Sequence, residues 1–124
     1  MICHTNKNAK IFVVDPQATD YAGMVGDAVY DSVKFIFFEN GRGALSSPTA
    51  EEPELWVVNM NLPDMSGTDF QELLRQRGSK VPVMLVGDEY RVEDEIDARS
   101  SGATMYFAKP LQRDWILAPR QTAA

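Results

Sequence analysis

Asp15, Asn59 and Lys109 stand at or just beyond the ends of short apolar runs and carry a carboxylate, an amide and an ammonium group. Asp15 follows Ile11-Phe12-Val13-Val14, Asn59 follows Leu55-Trp56-Val57-Val58, and Lys109 comes shortly after Thr104-Met105-Tyr106-Phe107. A carboxylate can attack an electrophile or help hold a cation. An amide is neutral and delocalises its nitrogen lone pair into the carbonyl, so Asn59 is a poor nucleophile. Pro16, next to Asp15, and Gly87, directly after the run 81–86, bring no side-chain oxygen. A lysine at the mouth of a partly buried pocket requires a counter-charge.

Other chemistries find little support. His4 has no second histidine or cysteine at ligand spacing, which argues against zinc. Cys3 is the single cysteine, so no internal disulfide can form, and it reads as an incidental thiol. No glycine loop of the phosphate-cradling kind is present, so no nucleotide or flavin cofactor is expected. Acidic residues outnumber Lys and Arg by 18 to 12, a formal charge of −6, which argues against nucleic acid as a partner. No apolar run approaches the roughly 18 residues of a membrane span, and the first residues lack a secretion-signal pattern. The expected location is the cytoplasm.

The elements that must position these groups alternate. Near-continuous apolar runs at 11–14, 33–38, 55–58, 81–86 and 104–107 read as parallel strands buried on both faces. Between them lie helical patterns. Tyr21, Val25 and Val29 mark a first helix that Gly23 and Gly26 weaken. A short second helix is expected near 42–46, before a loop at Ser47-Pro48-Thr49. Phe70, Leu73 and Leu74 line a third, with Thr68 and Gln71 as a capping box and Gly78 as its left-handed end. Arg75 and Arg77 then suit its C-terminal dipole better than they suit a basic binding patch. A fourth helix runs over about 92–101 with Val92 and Ile96 on one side of an acidic, solvated face. Leu111, Trp115, Ile116 and Leu117 mark a short fifth, ended by Pro119.

Ile11-Phe12-Val13-Val14-Asp15-Pro16 resembles the first strand of response-regulator receiver domains and the acidic pair at its tip. Glu54-Leu55-Trp56-Val57-Val58-Asn59 resembles their third strand, which ends in the phospho-accepting Asp. Leu62-Pro63-Asp64-Met65-Ser66-Gly67 resembles the loop that follows. Gly102-Ala103-Thr104-Met105-Tyr106-Phe107-Ala108-Lys109-Pro110 is similar to the fifth strand with its lysine and proline. These segments fall in the family's order, so the resemblance covers the chain from Ile11 to about Leu117. It implies one domain, 1–118, and a tail or linker stub at 119–124. The implied fold is α/β, doubly wound and CheY-like, with strand order 2-1-3-4-5 and the site at the carboxyl ends of the central strands.

The same resemblance implies a degenerate pocket formed by Asp15, Pro16, Asn59, Gly87 and Lys109. Pro16 stands where the family places a Mg²⁺-binding carboxylate, Asn59 where it places the nucleophile, and Gly87 where a hydroxyl residue would hold the phosphoryl group. The expectation is a pseudo-receiver: not an enzyme, with no catalytic residue, metal or cofactor, acting by protein contacts in bacterial signal transduction or transcriptional control. Lys109 is expected to pair with Asp15 directly or through water, with Asn59 contributing its carbonyl oxygen. Tyr106 matches the aromatic residue that changes rotamer in receivers, and without a hydroxyl at 87 its orientation should be set by packing. A protein partner or a second copy is expected to dock on the fourth helix, fifth strand and fifth helix, at Val92, Ile96, Tyr106, Leu111 and Trp115. Two alternatives are a ligand-sensing domain that uses the emptied pocket, and a phosphorylatable receiver with Asp64 or Asp88 as acceptor. Both aspartates are more simply read as caps of turns.

Overall fold

The apolar runs form β1 (Ala9–Val14), β2 (Val33–Phe38), β3 (Leu55–Asn59), β4 (Val83–Gly87) and β5 (Met105–Ala108). The computed structural model describes residues 9–25, 33–47, 52–112 and Trp115. The strands pair in parallel in the order β2-β1-β3-β4-β5. β4 and β5 begin and end later than the apolar patterns at 81–86 and 104–107 predict, because Val81 and Pro82 precede the ladder.

Successive side chains of a strand point to opposite faces, and both faces are covered. Phe12, Val14, Trp56, Val58, Val83 and Leu85 bury themselves with Phe70, Leu74 and Ala98 on one face. Ile11, Val13, Leu55, Val57, Met84 and Val86 pack with Tyr21 on the other. Trp56 anchors the first cluster, edge-on to Phe12 at 5.1 Å and to Phe70 at 5.2 Å between ring centroids. Such contacts add to the burial of large apolar surface.

The first crossover begins with a 3-10 turn (Ala18–Tyr21) that continues into α1 (Ala22–Val25). Val29, Cys3, His4, the Pro48-Thr49 loop, the tail 119–124 and, of the expected fifth helix, Ile116 and Leu117 lie outside the described residues. α2 (Gly41–Ser46) is capped by Asn40, whose side chain accepts from the Gly43 N–H. α3 (Gly67–Gln76) is capped by Ser66, which accepts from the Asp69 N–H, and not by the Thr68 and Gln71 box. The loop register decides this: Gly67 already bonds back to the Met60 carbonyl, so the helix starts one residue before Thr68. Gln71 is instead fully buried, donating to the Ser101 carbonyl and accepting from its hydroxyl. Gly78, with φ at +89°, ends α3 in the left-handed region. Arg75 donates to the Ser79 and Val81 carbonyls just after the helix, whereas Arg77 reaches across to the Leu45 carbonyl of α2. α4 (Val92–Ser100) docks through Ala98 and leaves Val92 and Ile96 exposed.

Candidate functional site

Chain order reverses about β1, which puts a crevice at the carboxyl ends of β1 and β3. Backbone bonds fix the strand tips there. Asp15 N–H donates to the Phe38 carbonyl, Met60 N–H to Val86, and Lys109 N–H to Gly87, at 2.9, 2.7 and 2.9 Å. The crevice brings together Asp15, Asn59 and Lys109 and adds three residues that sequence spacing did not single out for it: Asp20, Tyr21 and Asp88.

Lys109 Nζ lies 2.9 Å from Asp15 Oδ2, 2.7 Å from Asp20 Oδ2 and 3.0 Å from Asp88 Oδ1. It also sits over the Tyr21 ring, 5.6 Å from the centroid. Asp15 is buried and saturated: Oδ2 accepts from the Tyr21 hydroxyl at 2.8 Å and from Asn59 Nδ2 at 3.0 Å, and Oδ1 accepts from the Gln17 N–H. Asn59 Nδ2 makes a second bond, to Asp88 Oδ1 at 2.9 Å, while its Oδ1 accepts from the Asn61 N–H at 2.7 Å.

The amide orientation corrects the expectation that Asn59 offers its carbonyl oxygen to Lys109. Turned the other way, that oxygen would face two carboxylates, and the Asn61 N–H would meet an NH₂ group. Asp88 is corrected too: it is no mere turn cap but a member of the pocket. It is the residue directly after Gly87, so the resemblance that pointed to Gly87 would have found it one position further on. Asp20 lies in a 3-10 turn with no such signal.

The charges are mutually supporting. Burial works to lower the Lys109 pKa, but hydrogen bonds to Asp20, Asp15 and Asp88 outweigh it and hold the ammonium above its ordinary range. Burial would raise Asp88, yet the bonds from Asn59 and Lys109 bring it below the usual carboxyl value. Burial, reinforced by Asp15, pushes the Tyr21 phenol far up, so it remains a donor.

Pro16 is exposed and Gly87 is filled from elsewhere. A Cβ on Gly87 would stand 2.5 Å from the Tyr106 hydroxyl and 2.9 Å from the Glu89 carbonyl oxygen. The phenol thus occupies volume that a side chain at 87 would need. Its hydroxyl is buried without a hydrogen-bond partner. Burial raises its pKa, and the Arg91 backbone pulls the other way without outweighing it.

The donor set does not fit the magnesium ion that a receiver pocket implies. Pro16 supplies no side-chain oxygen, Asn59 turns N–H groups toward Asp15 and Asp88, and an ammonium already occupies the point on which the three carboxylates converge. Magnesium requires near-octahedral oxygen ligands at about 2.0–2.1 Å. Among the described residues, no group of three His, Cys, Asp or Glu is disposed to hold a metal as it stands.

Asp64 lies outside the pocket. Its two oxygens accept from the Gly41 and Arg42 N–H groups at 3.0 and 2.9 Å, closing the start of α2. Burial, slight here, would raise its pKa, and those N–H groups instead hold it below the ordinary 3.8. A carboxyl held low in the folded state takes up its proton more readily when unfolded. The stabilisation from Asp64 and Asp88 is therefore full above about pH 4 and is lost as pH falls through their folded values. The urea midpoint should fall on acidification below pH 4, with a shallower fall in Asp64→Asn.

The five surface residues do not form one patch. Val92 and Ile96 are exposed on α4, with Tyr90 beside them, and Tyr106 packs against the Phe12 cluster. Leu111 packs on the opposite face, where Trp115 stacks on Phe107 at 4.5 Å. Period-two alternation along β5 separates the two groups.

A family model described as the response regulator receiver domain matches residues 11–119. The probable transcriptional regulatory protein TcrX of Mycobacterium tuberculosis is 32% identical over 101 residues, covering 81% of this chain and 43% of that protein. The response regulator protein PmrA of Pseudomonas aeruginosa is 32% identical over 84 residues, 68% of this chain and 37% of its own length. The chain therefore spans less than half of either relative. A putative response regulator from Chloroflexus aurantiacus superposes with a TM-score of 0.80 at 18% identity, over 94% of this chain and 97% of that one. A response regulator protein from Burkholderia pseudomallei with a phosphorylated aspartic acid, calcium ion and citrate gives 0.75 at 21%, over 89% and 65%. No helix of the described residues is long and apolar enough to cross a membrane.

Proposed function

Because the chain belongs to the response-regulator receiver family of two-component signalling, we propose that it is a degenerate receiver, acting through protein contacts without aspartyl phosphorylation. One observation carries this reading: Asn59, at the tip of β3, donates N–H to both Asp15 and Asp88 where a phosphorylatable domain needs a free carboxylate. Phosphoryl transfer rests on positioning and charge neutralisation. Here the nucleophile is an amide, Pro16 brings no ligand, and the place of a hydroxyl at residue 87 is taken by the Tyr106 phenol. The Burkholderia pseudomallei relative carries its phosphoryl group on an aspartic acid, and the chemistry it displays has no counterpart at Asn59.

With the pocket self-satisfied, output falls to surface recognition. Tyr90, Val92 and Ile96 are more than half exposed at α4 and offer a protein partner or a second copy an apolar contact beside the Tyr106 edge of β5. Leu111 and Trp115 lie on the other face of β5 and are not part of that contact. A transcriptional role, in the cytoplasm of a bacterium, would match the relatives.

Incubation with acetyl phosphate and magnesium followed by intact-mass measurement tests the reading. The expected spectrum is that of the unmodified chain. A stable phosphoryl adduct, at Asp88 or anywhere else, would refute it.

A further inference from the structure

We propose that the Lys109 ammonium is a resident cation: it holds Asp15, Asp20 and Asp88 in one cluster, so that the tips of β1, β4 and β5 and the Ala18–Tyr21 turn are tied together without a metal. Three carboxylate oxygens converge on one nitrogen within 3.0 Å, two from the segment 15–20 and one from Asp88, far from it in sequence. The nitrogen belongs to a side chain only 10% exposed, and Asp15 is wholly covered. Lysine is a compact point charge with three donors, and each donor here finds one carboxylate.

The geometry is cation-like as well as ion-paired. Separations of 2.7–3.0 Å exceed the roughly 2.3–2.6 Å of calcium to oxygen by a few tenths of an ångström. Small shifts of Asp20 and Asp88, the exposed members, would close that gap. Calcium tolerates irregular coordination, whereas magnesium does not. Substituting the ammonium by an apolar group should therefore leave carboxylates that repel one another, and an added calcium ion should relieve that repulsion. In the native chain the ammonium pre-empts the ion.

This inference deepens the degenerate-receiver reading and rests on its account of the pocket, but the two fail separately. A phosphoryl adduct would sink that reading and say nothing about how Lys109→Met responds to calcium.

The experiment compares thermal unfolding of the full chain in EDTA, MgCl₂ and CaCl₂ at matched ionic strength. The native chain should show the same Tm in all three. Lys109→Met keeps the stem and drops the charge. It should lose on the order of 10 °C in EDTA, and calcium should restore at least half of that loss, magnesium less. Lys109→Arg keeps a cation in place, so it should lose less Tm than Lys109→Met and should keep its indifference to added ions. Adding Asp88→Asn to Lys109→Met should recover part of the loss and abolish the calcium response. Should Lys109→Met be unfolded in EDTA, a folded circular-dichroism spectrum on calcium addition supports the proposal equally. The proposal is overturned if the native chain gains Tm from either ion, or if Lys109→Met, folded or unfolded, responds to neither.

Discussion

Asn59→Asp should destabilise the domain by about 3 kcal/mol at neutral pH and should fail to make it phosphorylatable. Asn59 is 1% exposed, and its two N–H groups serve Asp15 and Asp88. An aspartate there removes both donors and adds a fourth carboxylate to a cluster that has one ammonium. The carboxylate would still accept the Asn61 N–H, so the loss comes from the other side of the group. Like charges would raise the proton affinity of the new carboxyl in the folded state. Its penalty is therefore absent below the ordinary carboxyl range near pH 4 and grows as pH rises through the folded value. The gap in Tm between Asn59→Asp and the native chain should shrink on acidification. Acetyl phosphate and magnesium should leave the intact mass unchanged, because Pro16 still lacks an oxygen and Gly87 a hydroxyl. A variant as stable as the native chain at pH 7 would mean that the two N–H bonds contribute little.

Gly67→Ala should cost about as much, near 3 kcal/mol, for a steric reason. A Cβ at 67 would stand 2.5 Å from the Asn59 carbonyl oxygen and 3.0 Å from Met60 Cα. Both are backbone atoms of the β3 tip, so no side chain can turn aside. Either α3 moves outward or the tip of β3 bends, and the Gly67 N–H to Met60 carbonyl bond at 2.8 Å is strained in both cases. Overpacking typically costs about 1–3 kcal/mol, and backbone contact puts this site at the upper end. The expected fall in Tm is on the order of 10 °C. Gly23→Ala is the matched control, since nothing lies within 4 Å of a Cβ there and the residue sits in α1. It should be neutral or stabilising by up to about 1 kcal/mol. Equal losses in the two variants would show that glycine itself, and not the approach to β3, was being measured.

Much of the fold was legible because each strand buries both faces. Near-continuous runs such as 55–58 have no other economical reading in a chain of this length, and the strand order came with the family resemblance. Of the pocket, Asp15, Asn59 and Lys109 were legible because the segments that carry them resemble the family's strand tips. Asp20 was not. Its place depends on the pitch of the 3-10 turn after Pro16, and no spacing rule encodes that pitch. Gln71 looked like a capping partner until the Ser66 cap moved the helix start and turned Gln71 inward toward Ser101.

By itself, the sequence determined that residue 59 carries an amide, that Pro16 brings no side-chain oxygen, and that Gly87 brings no side chain at all. These are facts of composition at known positions and no folding can alter them. Tertiary structure alone decided which way the amide points, which three carboxylates share Lys109, and that Tyr106 fills the space beside Gly87. The reason is that a hydrogen bond or ion pair depends on distances of a few tenths of an ångström between segments remote in the chain. Those distances are set by how the whole sheet twists and packs.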